Sequence, residues 1–296
     1  MKYVLAIMLL LATPCLADFT FFVVSDTHYG YSTECDSVNT AMIAAVNALP
    51  GNAHHDSIGG NVATPICIFH TGDMIQGGVG ATAQRDTFAD HYFAGSDFSV
   101  PVYAMAGNHD YTAFDDTLTS YYGGTTYSFG NSGMRFIVLG TYPDASTRTW
   151  LDAHLQDDLS REIPIVLFSH YGFDVHSQEP GWWTNYAAES WALNNILSQY
   201  NIAAYIHGHW HWSAAYTWNN ILIAPNGSPK AATTMRSFLV VVVSASTIKI
   251  AQFSYDPDDN EAWDAFAADT FDWGWYATAS FDACSCFPHA AWEAGP

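Results

Sequence analysis

The sequence predicts an α/β (α+β) fold of mixed β-sheets covered by helices. Apolar runs of strand length alternate with segments of helical period over the first two thirds, and the last third is mostly strand. In addition, Asp26, Asp73, Asn108, His170 and His209 each stand just past the end of an apolar strand, where open α/β sheets place their ligand sites. At 296 residues and 49% hydrophobic composition, one domain with a short tail is expected.

In chain order, "FTFFVVSD" reads as a first strand and "DSVNTAMIAAVNAL" as a helix, ended by Pro50 and Gly51. "TPICIFHTGD" is a second buried strand that stops at Gly72 and Asp73. A helix over residues 82–94 follows, then a strand at "VPVYAMAGN" and two more at "TTYSFG" and "MRFIVLGTY". A helix near 147–160 precedes the strand "IPIVLFSH", and a helix over about 185–200 leads into "IAAYIHGH". The remaining strands are "SAAYTWN", "NILIAPN", "RSFLVVVVSA" and "TIKIAQFSY". The domain is expected over residues 18–255, with residues 256–296 as an acidic, aromatic extension packed on it.

The first 17 residues read as a secretory signal: Lys2, an apolar run from Tyr3 to Ala12, then small residues to a cleavage point after Ala17. That run falls short of the ~20 residues a spanning helix needs. Pro14 also makes Cys15 a poor lipidation site. The protein is therefore expected in a secreted, periplasmic or other extracellular setting, without stable membrane insertion. There, Cys35, Cys67, Cys284 and Cys286 allow three disulfide pairings. A bond between Cys284 and Cys286 is strained by its spacing, so at least one of them is expected to staple the tail to the body. Cys67, in an apolar run, equally suits a buried free thiol.

The formal charge of −21 comes from 29 acidic against 8 basic residues, and no Lys or Arg follows Lys249. Such a chain lacks the basic footprint of a nucleic-acid binder. Phosphate chemistry on it would need metal ions.

The ligand-type residues fall in five short segments: "SDTH" (Asp26, His28), "TGDMIQGG" (Asp73), "AGNHDY" (Asn108, His109, Asp110), "FSHYG" (His170) and "HGHWH" (His209, His211). Two carboxylates, an amide and several imidazoles suit mid-row divalent metals or iron, with no thiolate to favour a structural zinc site. The set is too large for one ion and fits two, bridged by a carboxylate. If the last strand stays extended, His207, His209 and His211 share one face.

The five segments, in this order, resemble the calcineurin-like metallophosphoesterases, whose pattern is D-x-H, G-D, G-N-H-[DE], a lone His and G-H-x-H. The resemblance implies a four-layer αββα sandwich with a dinuclear metal site at the carboxyl ends of the strands. It implies that Asp26, His28 and His211 hold one metal, Asn108, His170 and His209 the other, and that Asp73 bridges them, with His207 left in a supporting role. Purple acid phosphatases of the wider superfamily carry a metal-binding Tyr three residues after the bridging Asp. This chain has Gln76 there, so no tyrosinate-bound ferric centre is expected, and Mn, Zn and Fe all suit the two sites. Two divalent ions against two carboxylates would leave about two positive charges to bind a phosphate, and a hydroxide bridging them would attack phosphorus in line. His109, beside Asn108, is placed to protonate the leaving group, and Asp110 to orient or charge it; a structural histidine is the plainer alternative.

The expected function is phosphate-ester hydrolysis, phosphomonoesters slightly preferred, on a small or lipid-derived substrate. A phosphodiesterase and a non-catalytic scaffold of the same fold are the alternatives. Trp182 and Trp183, before a helix capped by Thr184, suit either a substrate cleft or helix packing. Tyr29, Tyr111 and Tyr171, each near a motif, carry the same ambiguity. His54, His55, His70, His91, His154, His176 and His289 have no motif support, so surface or core roles are expected. "NGS" at Asn226 is a formal glycosylation sequon that reads better as a turn.

Overall fold

Both faces of the first strand are buried, which explains why it reads as an unbroken apolar run rather than an alternating one. The computed structural model describes residues 18–93, 96–110, 113–156, 162–173, 186–230, 236–255 and 271–281. Among these, β1 (Phe19–Val24), β2 (Ile68–His70) and β3 (Val102–Ala104) run parallel. Beyond β1 the same sheet continues antiparallel through β10 (Arg236–Ser244), β11 (Thr247–Tyr255) and β12 (Phe271–Ser280). The second sheet has β5 (Met134–Val138), β6 (Ile165–Ser169), β7 (Ile202–His207) and β9 (Ile221–Pro225) parallel at its centre. Antiparallel β4 (Tyr127–Asn131) and β8 (Tyr216–Trp218) form its edges.

Alternation along the strands sorts the core into three seams. Phe19, Phe21 and Val23 face the second sheet, where Phe21 and Phe69 meet Phe136 and Phe168; the Phe69 and Phe168 rings stack at 3.9 Å. Each such ring contributes roughly 1.5–3 kcal/mol by burial. Phe22 and Val24 face the other way, onto α1 (Thr33–Ala48), α2 (Ala81–Tyr92) and α3 (Asp115–Tyr122) through Met42, Val46, Phe88, Tyr92 and Leu118. On the far side, Ile137, Leu167 and Tyr205 pack under α4 (Ala145–Leu155) and α5 (Tyr186–Leu197) through Leu151, Leu155, Leu193 and Leu197. The result is the four-layer αββα sandwich.

Caps set two helix starts earlier than periodicity alone suggests. Ser32 accepts from the Cys35 amide at 3.1 Å, and Asp144 accepts from the Thr147 amide at 2.7 Å. Helix α3 buries only Leu118, and β12 has no fully buried face along Gly274–Ser280, so neither carries an apolar period that a sequence reading could catch. The premise of an extended strand through residue 211 is corrected: β7 ends at His207, and His209 and His211 adopt φ of 69° and 54°. Cys67 is a buried free thiol. Cys35 is buried and donates from Sγ to the Thr27 carbonyl. Residues 1–17, Tyr111, Trp182, Trp183, Cys284 and Cys286 lie outside the described residues.

Candidate metal centre

The carboxyl ends of β1, β2 and β3 in one sheet and of β6 and β7 in the other meet at one edge of the sandwich. Main-chain bonds lock the loops leaving them: Asp26 N donates to Gly72 O at 2.9 Å, His28 N to Asp73 O at 3.0 Å, and Gly208 N to His170 O at 3.1 Å. Polar bonds then cross between the sheets. The His209 amide donates to the Asp26 carboxylate at 3.0 Å, Asn226 Nδ2 to the Val23 carbonyl at 2.9 Å, and Thr141 Oγ1 to the Ala106 carbonyl at 3.0 Å.

Two groups of ligand-type side chains converge there. Asp26, His28, Asp73 and His211 form one, and Asp73, His170 and His209 the other, each with its ligand atoms within 4.8 Å of one another. Asp73 belongs to both. In the first group His28 Nε2 is 3.0 Å from His211 Nε2 and 3.6 Å from Asp73 Oδ2, and His211 Nε2 is 3.3 Å from Asp26 Oδ1. In the second, His170 Nε2 faces Asn108 Oδ1 at 2.9 Å and Asp73 Oδ1 at 3.4 Å, which brings Asn108 to this group.

Asp26, His28, Asp73, His209 and His211 all have φ between 44° and 69°. The other non-glycine residues with positive φ among those described, Ser132, Asn219 and Asn220, sit in the β4–β5 and β8–β9 turns. Left-handed backbone costs a side-chain-bearing residue about 1–2 kcal/mol. Its concentration on the converging groups marks strain held in place by the fold around a functional site. Close packing enforces it: a Cβ on Gly208 would lie on Ser25 Oγ and 2.7 Å from Asp26 Oδ2, and one on Gly107 would lie 2.9 Å from Asp73 Cγ.

The electrostatics fit bound cations. Both aspartates are buried, and among the described residues their ion-pair partners are imidazoles rather than Lys or Arg. Burial alone would raise the Asp26 and Asp73 pKa values; the charges of His211 and His170 respectively outweigh it and hold both carboxyls below the usual range. Burial pushes His28 and His209 down to about 3, leaving them neutral, the form that binds metal. His170 goes the other way. Burial lowers its pKa, but the Asp73 charge and hydrogen bond, with Asp26 behind them, lift it to about 9. Its Nδ1 donates to the Thr71 carbonyl at 2.9 Å, so Nε2 is the atom aimed at two oxygen acceptors, a position that calls for a positive charge. A proton or a metal ion supplies one. The residues fit a pair of ions.

His109 lies next to the first group, its ring 4.7 Å from that of His28, with its amide donating to Asp73 Oδ1 at 2.8 Å. Asp110 accepts from the amides of Ile75 at 3.0 Å and Gly107 at 2.6 Å, which fastens two strand-end loops together, and it is the Gln76 carbonyl that holds His109 Nδ1, at 2.9 Å. Burial and then the Asp73 charge push the Asp110 pKa up to about 8. His207 is buried, with Nδ1 on the Gly208 carbonyl at 2.9 Å, and belongs to neither group. Tyr171 packs its ring 4.0 Å from that of His209.

Supporting residues escaped the sequence reading. His70, neutral under burial with a pKa near 3, meets Thr27 Oγ1 at 3.0 Å beneath the Asp26–His28 turn, and Asn39 Nδ2 donates to the Thr27 carbonyl at 2.7 Å. Ser228 Oγ donates to the Asp26 carbonyl at 2.7 Å. Asn226 of the formal sequon is buried and structural. Asn226 and Ser228 follow the strand "ILIAP", so the strand-end rule that found the ligand-type residues would have found them too.

The pattern of calcineurin-like phosphoesterases matches residues 19–213. A comparison with curated proteins finds no match. Among solved structures, a dimetal phosphatase from Danio rerio is similar over 78% of this chain and 95% of its own, with 15% identity and a TM-score of 0.58. PhoD is similar over 88% of this chain and 72% of its own, with 12% identity and a TM-score of 0.55. GAP50, the anchor in the inner membrane complex of Plasmodium, is similar over 92% and 90%, with 14% identity and a TM-score of 0.54. These likenesses are of fold. The family and the paired Asp/His groups together imply a dinuclear metal site. Since the matched span runs from β1 to just past His211, the chain belongs to the calcineurin-like phosphoesterase family.

Proposed function

We propose that this chain hydrolyses phosphate esters with two metal ions, Asp26, His28 and His211 holding one, Asn108, His170 and His209 the other, and Asp73 both. The carrying observation is the sharing of Asp73 by two convergent ligand groups at the meeting edges of the sheets. When bound, the ions supply Lewis acidity and an activated water. The chain's own residues do the rest. Because a carbonyl can only accept, His109 Nδ1 carries a proton in its bond to Gln76, and Nε2 is left as the atom that, in the imidazolium form, gives its proton to the leaving oxygen and becomes the neutral acceptor nitrogen. Mn, Zn and Fe suit the donor set.

The substrate is a small or lipid-derived phosphate ester, monoester before diester, and the charge of −21 argues against nucleic acid. Among the described residues no helix is long and apolar enough to cross a membrane. Residues 1–17 act as a secretory leader in this reading. Because an anchor protein shares the fold, architecture alone does not carry catalysis. The deciding experiment measures ion content and turnover of p-nitrophenyl phosphate and bis-p-nitrophenyl phosphate with Mn, Zn or Fe. Turnover, faster on the monoester, is expected; full occupancy without turnover of either ester would make the chain a scaffold.

The histidines after β7 give a sharper check on the ligand assignment. His209→Ala and His211→Ala should each lower the bound-ion count by one, and His207→Ala should keep both, as read by elemental analysis of dialysed protein. Loss of an ion in His207→Ala would break the assignment.

A further inference from the structure

Hydrogen bonds tie both Lys230 and Tyr31 to the turn carrying Asp26 and His28. The Lys230 amide donates at 3.0 Å to Ser228 Oγ, which itself donates to the Asp26 carbonyl. From the other side, the Tyr31 amide donates to the His28 carbonyl at 3.0 Å. The Lys230 ammonium then stands 4.1 Å from the centroid of the Tyr31 ring, a cation–π contact that holds a flexible side chain in one place. Tyr31 is 44% exposed and Lys230 half-buried, so the pair lies at the solvent side of this turn. Burial lowers the Lys230 pKa while the fields of Cys35, then Asp73 and Asp26, oppose that, and the Lys230 charge is felt in turn at His28.

A phosphomonoester dianion has three non-bridging oxygens, and a diester has two. Two ions held by the proposed ligands would account for two oxygens, which would leave the third of a monoester in need of a donor. We propose that Lys230, held by Tyr31, determines specificity by pairing with that third oxygen. This inference rests on the phosphoesterase reading and deepens it: the preference for monoesters is assigned to one residue.

The test compares wild type, Lys230→Met and Lys230→Arg, each with its ion content measured. The readouts are kcat and KM on p-nitrophenyl phosphate and on bis-p-nitrophenyl phosphate, and inorganic phosphate affinity by calorimetry. Lys230→Met should raise the monoester KM, weaken phosphate binding and lower the monoester-to-diester ratio of kcat/KM, each by about tenfold to a hundredfold, the range of a charge-assisted hydrogen bond. Lys230→Arg should recover most of the loss. An equal fall on both esters, an unchanged phosphate affinity, or loss of an ion from Lys230→Met would each overturn the assignment. If wild type turns over neither ester, the phosphoesterase reading fails, and the phosphate affinities still decide the role of Lys230.

Discussion

Asp73→Ala is expected to strip both ions from the protein and leave less than about a ten-thousandth of wild-type turnover. The carboxylate sits in both ligand groups, with Oδ1 3.4 Å from His170 Nε2 and Oδ2 3.6 Å from His28 Nε2. Its removal also leaves the His109 amide without its 2.8 Å acceptor, a further cost of about 1–3 kcal/mol for a donor left unsatisfied. Asp73→Asn separates these effects, since it keeps the shape and an acceptor oxygen while removing the charge. Elemental analysis after dialysis, together with turnover and thermal melting, reads each contribution. Retention of one ion at full stoichiometry in Asp73→Ala would refute the bridging role.

His109→Ala should behave in the opposite manner, with both ions retained and turnover reduced. A lost general acid costs about 10²–10⁴-fold, and the loss grows as the leaving group becomes more basic. An alkyl phosphate should therefore suffer far more than p-nitrophenyl phosphate, whose phenolate leaves without help. Equal losses on the two substrates would assign His109 to positioning through its ring's bond to the Gln76 carbonyl, and an unchanged rate would remove it from the chemistry.

The ligand-type residues were legible because each follows an apolar run closely, and chain order alone placed them at one edge of the sheets. The fold class was legible for the same reason: β1, β6 and β7 are buried on both sides and announce themselves as continuous apolar segments. What stayed hidden is long-range or weakly patterned. His70 meets Thr27 from 43 residues away, and no local spacing records such a contact. Asp110 looked like a partner for its neighbour His109, yet adjacency in sequence says nothing about direction once the backbone turns, and its carboxylate points back into the loops. The alternation argument for His207, His209 and His211 failed at Gly208, where the strand stops and the chain enters left-handed turns.

The ligand groups also draw on both sheets. Asp26, His28 and Asp73 follow strands of one, while His170, His209 and His211 follow strands of the other. Between them the two sheets share a mainly apolar seam that grips by area and carries no direction. The site edge is a polar fastening of the sandwich, and ions held there would act as a buckle across it. The protein's resistance to opening would then depend on the metal supply of its surroundings, since anything bound only by the closed form adds stability in proportion to the logarithm of its free concentration. In a metal-poor compartment the same chain would be a looser molecule, so catalytic competence and mechanical integrity would rise and fall together.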